Sequence, residues 1–173
     1  MTITKFVWQK ARRISKLPGT YSLFYAVSNM IYRDGNAVTV QLGPAAGYRW
    51  RHYHCYQPWM ALGLYEPEVA QLIYHSLKPG DVFYDIGANA GYFTLIAAKA
   101  VGSTGKVIAF DPVPKNVETV NEQIKLNKLQ DRASIEPLAI SNFNGPVELL
   151  IPSRNANAHL ADVEAPHVAN SGG

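Results

Sequence analysis

The chain has 173 residues, 47% apolar and 17% charged, with a formal net charge of +3 at pH 7. That composition is ordinary for a globular protein, is long enough to bury a core, and carries too little positive charge to argue for a nucleic-acid partner. Cys55 is the single cysteine, so no internal disulfide can form, and a reducing compartment is permitted; the expected location is cytoplasmic.

Lys5, Lys10, Arg12, Arg13 and Lys16 stand among apolar residues, and the pattern predicts a helix over 3–17, stopped by Pro18-Gly19. A surface helix of a globular domain is the simpler reading; a basic amphipathic helix on a membrane or partner is the alternative. The apolar run 21–32 suits a second helix and is too short to span a bilayer. No signal-peptide order is seen, and no integral membrane segment is expected. Asp34-Gly35 signals a turn, and residues 38–42 have strand chemistry before Gly43-Pro44 breaks it.

Residues 48–56 read YRWRHYHCY. Strand alternation would put Tyr48, Trp50, His52 and His54 on one face and Arg49, Arg51, Tyr53 and Cys55 on the other. Three readings compete: a metal site at His52, His54 and Cys55, which lacks a second ligand cluster; an arginine-aromatic surface for an anionic or planar substrate; and an edge strand with a polar face. The third is the simplest, and no metal site is expected. Trp59 and Met60 read as core or lid. Glu66-Pro67-Glu68 opens a helix running to about Leu77, with Val69, Leu72, Ile73 and Leu77 as its apolar stripe.

The stretch 81–111, DVFYDIGANAGYFTLIAAKAVGSTGKVIAFD, carries the most information. Val82-Phe83-Tyr84 is a strand, Asp85 to Gly91 a glycine turn, Gly91 to Val101 a buried helix, and Lys106 to Phe110 a second strand ending at Asp111. Glycine has no β-carbon, so Gly87 and Gly91 permit unusual dihedrals and close approach of a ligand. Unpaired amides at the helix start favour a carboxylate or phosphate. Asp111, at the carboxyl end of its strand, lies where an acid can bind ribose hydroxyls; capping the next helix is the alternative. The dinucleotide fingerprint G-x-G-x-x-G is not matched, because Asn89 stands between glycines four apart, and no P-loop is present.

Pro112 and Pro114 lead into a helix from about Lys115 to Asn127. Val117, Val120 and Ile124 are its inner face, while Lys115, Glu118, Glu122 and Lys125 point to solvent. Residues 133–138 form a third strand, with Glu136 exposed or near an adenine ring. Asn144-Gly145 signals a hairpin before a strand over 146–151. From Ser153 the chain is irregular, and His159 and His167 read as solvated.

Asp-x-Gly-x-x-x-Gly, with an acid 26 positions after the first Asp, resembles class I S-adenosylmethionine (SAM)-dependent methyltransferases. YEPE at 65–68, KPGDVFYDIGANAGYF at 78–93 and GKVIAFDPVPKN at 105–116 resemble the FkbM family more specifically, and the likeness continues through 139–141 towards Leu149. The resemblance implies an α/β, Rossmann-like class I methyltransferase fold, here its first three parallel strands and their helices. It implies SAM as cofactor, with Gly87, Ala88, Asn89 and Gly91 wrapping the methionine part, Asp85 holding the amino group and Asp111 the ribose. The helix opened at Glu66 would pack beside the cofactor. The implied reaction is O-methylation of a small-molecule or sugar hydroxyl. No residue sits in a motif that makes it the general base, so no catalytic residue is assigned.

Right-handed crossovers predict the strand order third, second, first, leaving the strand at 82–86 on an open edge. The later family motif of Ile-Asp-x-Glu-Gly type is not found, so the expected organisation is an N-terminal extension over 1–64, a partial SAM-binding domain over 65–152 and an irregular tail over 153–173. The chain is therefore expected to be a truncated or fragmentary methyltransferase. A non-catalytic module that binds SAM weakly, or associates through its open edge, is the alternative; a nicotinamide-dependent oxidoreductase is disfavoured by the missing middle glycine.

Overall fold

The computed structural model describes Tyr25, residues 30–142, 145–146, 149–150 and 159–160. The predicted helix at 3–17, most of that at 21–32, and His167 lie outside the described residues. The first elements are two short strands, β1 (Ala37–Thr39) and β2 (Arg49–Arg51), paired antiparallel with Val38 opposite Trp50. Two helices follow, α1 (Trp59–Leu62) and α2 (Pro67–Ser76).

Then comes the repeating unit: β3 (Val82–Ile86), α3 (Tyr92–Ala100), β4 (Lys106–Phe110), α4 (Pro114–Leu126) and β5 (Ala133–Glu136). The three strands are parallel, in the order β3-β4-β5, as the crossover argument predicts. β3 runs two residues further than the apolar stretch 82–84, because Asp85 and Ile86 keep pairing with Ala109 and Phe110. A last pair, β6 (Leu149–Leu150) and β7 (His159–Leu160), is antiparallel. The tail expected to be irregular thus contributes a strand, and β6 pairs forward with β7.

Register explains the core. Phe83, Asp85, Val107, Ala109, Ala133 and Ile135 alternate onto one sheet face, where α3 packs on β3 and β4 and α4 packs on β5. α3 is apolar nearly all round, so Leu95, Ile96, Ala97 and Ala98 are all buried, as expected of a helix covered on several sides. One continuous apolar cluster joins these residues to Val40, Trp50, Tyr56 and Met60 from the N-terminal part. Trp50 meets Tyr92 edge-on, with ring centroids 5.9 Å apart, a geometry worth about 0.5–1.5 kcal/mol beyond burial.

One expectation is corrected here. α2 turns Ala70, Ile73, Tyr74 and Leu77 inward, at spacing i, i+3, i+4, i+7, and leaves Val69 at 40% and Leu72 at 67% exposed. Its neighbour is α3: Ile73 and Leu77 face inward as expected, while Ala70 and Tyr74 take the places predicted for Val69 and Leu72. Within 48–56 the strand itself is 49–51, and its faces alternate as expected: Trp50 and His52 are buried, while Arg49 is exposed and Arg51 half-buried. Backbone hydrogen bonds towards the β1 side continue at Tyr48 and His52, and the outer edge of β2, which the sequence left open, is occupied.

The occupant of that edge is α4. The Arg51 amide donates to Gln123 Oε1 at 2.9 Å, and Gln123 Nε2 donates to the Arg51 carbonyl at 2.8 Å. Asn127 makes the same pair of bonds with Arg49, both 2.7 Å. Four residues of helix rise about 6 Å and two residues of strand about 6.7 Å, so carboxamides at i and i+4 match alternate residues of a strand. Each side-chain amide acts as one peptide group of a missing neighbour strand.

Candidate functional site

The residues from the 81–111 motif meet at the carboxyl ends of β3 and β4. After Ile86 the chain turns through three left-handed positions at alternate residues: Gly87 (φ 78°), Asn89 (φ 51°) and Gly91 (φ 84°). Asparagine is among the few side chains that tolerate this region, so Asn89 stands where the turn demands positive φ without being glycine. The two glycines differ in purpose. A β-carbon on Gly91 would meet Val120 Cγ2 at 3.2 Å, so Gly91 lets the turn approach α4. A β-carbon on Gly87 would meet nothing within 4 Å, so the space above it is open.

Most of the turn's amides serve the protein. The N–H groups of Gly87 and Ala88 both donate to the Phe110 carbonyl, at 2.9 and 3.0 Å, and that of Gly91 donates to the Ala88 carbonyl at 2.8 Å. The Asn89 amide donates to Asp111 Oδ2 at 2.8 Å. The amides of Tyr92 and Phe93, in the first turn of α3, have no partner among the described residues. The Asn89 side-chain oxygen is buried and also lacks a partner.

Asp111 is buried, and three donors hold it. Besides Asn89, the Val113 amide (2.9 Å) and Asn116 Nδ2 (3.0 Å) donate to Oδ1. Carboxylate oxygens offer about four lone-pair sites, so one remains, on Oδ2. Asp111 is not the cap of the next helix: Val113 is the N-cap residue, and Asp111 closes the turn before it. Asp85 is buried too. Thr94 Oγ1 donates to its Oδ2 at 2.5 Å, and the Thr94 backbone amide supports it. Burial pushes the Asp85 carboxyl above its ordinary value of 3.8; Thr94 opposes the shift and the Asp111 charge adds to it. Neither carboxylate has a cationic partner among the described residues.

The other candidates fall elsewhere. Glu66 is exposed at the start of α2, with φ 36°, next to Tyr65, whose ring lies against Phe93. Glu136 is exposed at the end of β5, and its carbonyl receives the Asp111 amide at 3.2 Å. His52 and His54 rest with ring centroids 5.4 Å apart, and burial lowers the His52 pKa. Among the described residues no group of three His, Cys, Asp or Glu is placed to hold a metal. Arg51 and Tyr53 face α4: Tyr53 donates a short hydrogen bond to Glu122, and Arg51 Nε lies 3.9 Å from the same carboxylate. Glu122, expected to be merely solvated, is thus engaged, because β2 docks on that side of the helix.

Sequence reasoning missed the polar residues behind the turn. Tyr56 donates to Asn116 Oδ1 at 2.7 Å and approaches Thr119 Oγ1 at 3.2 Å. Asn116, Thr119 and Gln123 are all buried, and Asn127 continues their line. The signal was present: uncharged polar residues at 116, 119, 123 and 127 keep helical spacing beside the apolar stripe at 117, 120 and 124.

A parallel strand-helix-strand-helix-strand unit, with a glycine turn after its first strand and an acid after its second, defines a Rossmann-like fold of the class I methyltransferase type. The family model described as "Methyltransferase FkbM domain" matches residues 85–171, half of the chain, and the chain belongs to that family. It is similar to the ribosomal protein L11 methyltransferase of Bacillus cereus (strain G9842), at 32% identity over 100 residues, covering 57% of this chain and 31% of that protein. The chain thus spans about a third of the length of that curated relative. Among solved structures it is similar to a SAM-dependent O-methyltransferase from Thermotoga maritima: 28% identity, TM-score 0.39, 42% of this chain and 28% of that one. It is also similar to Methanocaldococcus jannaschii Trm5 in complex with adenosine: 26% identity, TM-score 0.41, 54% and 27%. Family membership implies SAM as the methyl donor.

Proposed function

We propose that the turn 85–91 and Asp111 form the SAM site of a methyltransferase acting on a small-molecule or sugar hydroxyl, in a reducing, cytoplasmic setting. The division is the one read from the sequence, with 65–152 as cofactor domain, 1–64 as an N-terminal extension and 153–173 as a tail. The observation that carries the reading is the open space over Gly87 beside two buried carboxylates that have no cationic partner among the described residues. A zwitterionic amino acid with a ribose suits that arrangement. Asp85 would face the ammonium, the Tyr92 and Phe93 amides would meet the carboxylate, and the free lone pair of Asp111 would accept from a ribose hydroxyl. Gly87, Ala88, Asn89 and Gly91 would contribute shape, since all four of their amides are engaged.

The bound donor supplies a methyl group already activated on a sulfonium. The chain's own residues fix the donor's position and exclude water from it, so that an acceptor oxygen can approach in line. Among the described residues no helix is long and apolar enough to cross a membrane.

The test is calorimetric. Gly87→Val should abolish SAM binding to a chain that still gives the native circular dichroism spectrum; unchanged affinity would move the site elsewhere.

A second reading, association through β3, is favoured by one feature. Among the described residues β3 pairs only with β4, and Val82, Tyr84 and Ile86 are 55%, 60% and 63% exposed. Such an edge suits strand pairing with another copy.

A further inference from the structure

Asp111 can serve as a ribose acceptor only if its carboxylate is held in one orientation, and the groups that hold it are partly outside the motif. Asn116 is the side chain that donates to Oδ1, and a carboxamide can face a neighbour with either end. Its NH2 end faces Asp111 when its oxygen is engaged by a donor, and here that donor is the buried Tyr56 hydroxyl at 2.7 Å. Flipped, Asn116 would set its carbonyl oxygen against a carboxylate. Burial pushes the Tyr56 hydroxyl up to about 12, so it stays protonated and donating at every physiological pH.

We infer that Tyr56, contributed by the N-terminal extension, is a positioning residue for the cofactor site, acting through Asn116 on Asp111 and from there on the Asn89 amide. The route is continuous: Tyr56 to Asn116 at 2.7 Å, Asn116 to Asp111 at 3.0 Å, Asn89 to Asp111 at 2.8 Å. This rests on the proposed reading of Asp111 as the ribose acceptor. It assigns residues before Tyr65 a part in ligand affinity as well as in packing.

A double-mutant cycle on the full 173-residue chain tests it, with SAM and adenosine as calorimetric probes. Tyr56→Phe keeps the ring and removes the hydroxyl. It should weaken both probes about fivefold to tenfold, the scale of one lost hydrogen bond. In an Asp111→Ala background the same change should alter neither probe by more than about twofold. Thr119→Val, which touches the same hydroxyl off the route, should leave affinity unchanged in the parent. Equal losses in both backgrounds, or an equal loss for Thr119→Val, would mean a general structural lesion and overturn the inference. An Asp111→Ala loss with no Tyr56→Phe loss would overturn it while leaving the site standing. An Asp111→Ala variant with parental affinity would bring down the site reading and this inference together. Asn116→Ala carries the same cycle should Tyr56→Phe fail to fold.

Discussion

Asp85 sits on the covered face of β3 with its carboxyl pushed above 3.8 by burial. A raised carboxylate favours the folded chain most when protonated. Its contribution is therefore complete below 3.8 and is lost as pH rises through the higher folded value. Asp85→Asn keeps an acceptor for Thr94 and removes that loss. Urea unfolding across pH 4 to 8 should show the variant's stability falling less than the parent's over the acid-to-neutral arm; parallel curves would refute the argument. The same variant should bind SAM more weakly and adenosine unchanged, since only SAM has an ammonium for Asp85 to face. Residue types at this site were legible beforehand because backbone sterics restrict them: a left-handed turn admits glycine or asparagine, and 87, 89 and 91 carry those. The division of labour was not legible. That Gly91 serves Val120 while Gly87 borders open space depends on where α4 lies.

Between elements, the docking of β2 on α4 rests on Gln123 and Asn127. Each carboxamide closes both hydrogen bonds of one β2 residue, so truncating it leaves a backbone donor and acceptor unpaired at a partly buried interface. Gln123→Ala should lower unfolding free energy by about 1–3 kcal/mol in urea titrations, and Asn127→Ala, at the more exposed end, by less. A change within 0.5 kcal/mol for Gln123→Ala would mean that water replaces the amide at no loss. Helices and strands of the repeating unit were readable from periodicity, since each buries one clear face. The inward face of α2 and the occupant of the β2 edge were not readable for the opposite reason: each is settled by one neighbouring helix, and periodicity says nothing about which flank a neighbour will cover.

At the scale of the whole molecule, the described helices cover one face of the sheet. α3 and α4 cover the inner side, while Val82, Tyr84 and Ile86 stand exposed on the other, with the Tyr84 ring 6.0 Å from that of Phe110. Association through this edge predicts a weight-average mass in sedimentation equilibrium that rises with concentration and returns to the monomer value for Tyr84→Lys. A parent chain that stays monomeric throughout the range would exclude it.

The amino-acid order alone determined the parallel unit, its strand order and the place of the turn, because alternation, helical spacing and positive-φ requirements are local and each tolerates few residue types. Only the tertiary structure decided that Tyr56, Asn116, Gln123 and Asn127 join the N-terminal segment to the candidate site. Those bonds span 60 to 78 positions of chain. A polar side chain's partner at that range is set by how helices and strands stack, which no local pattern records.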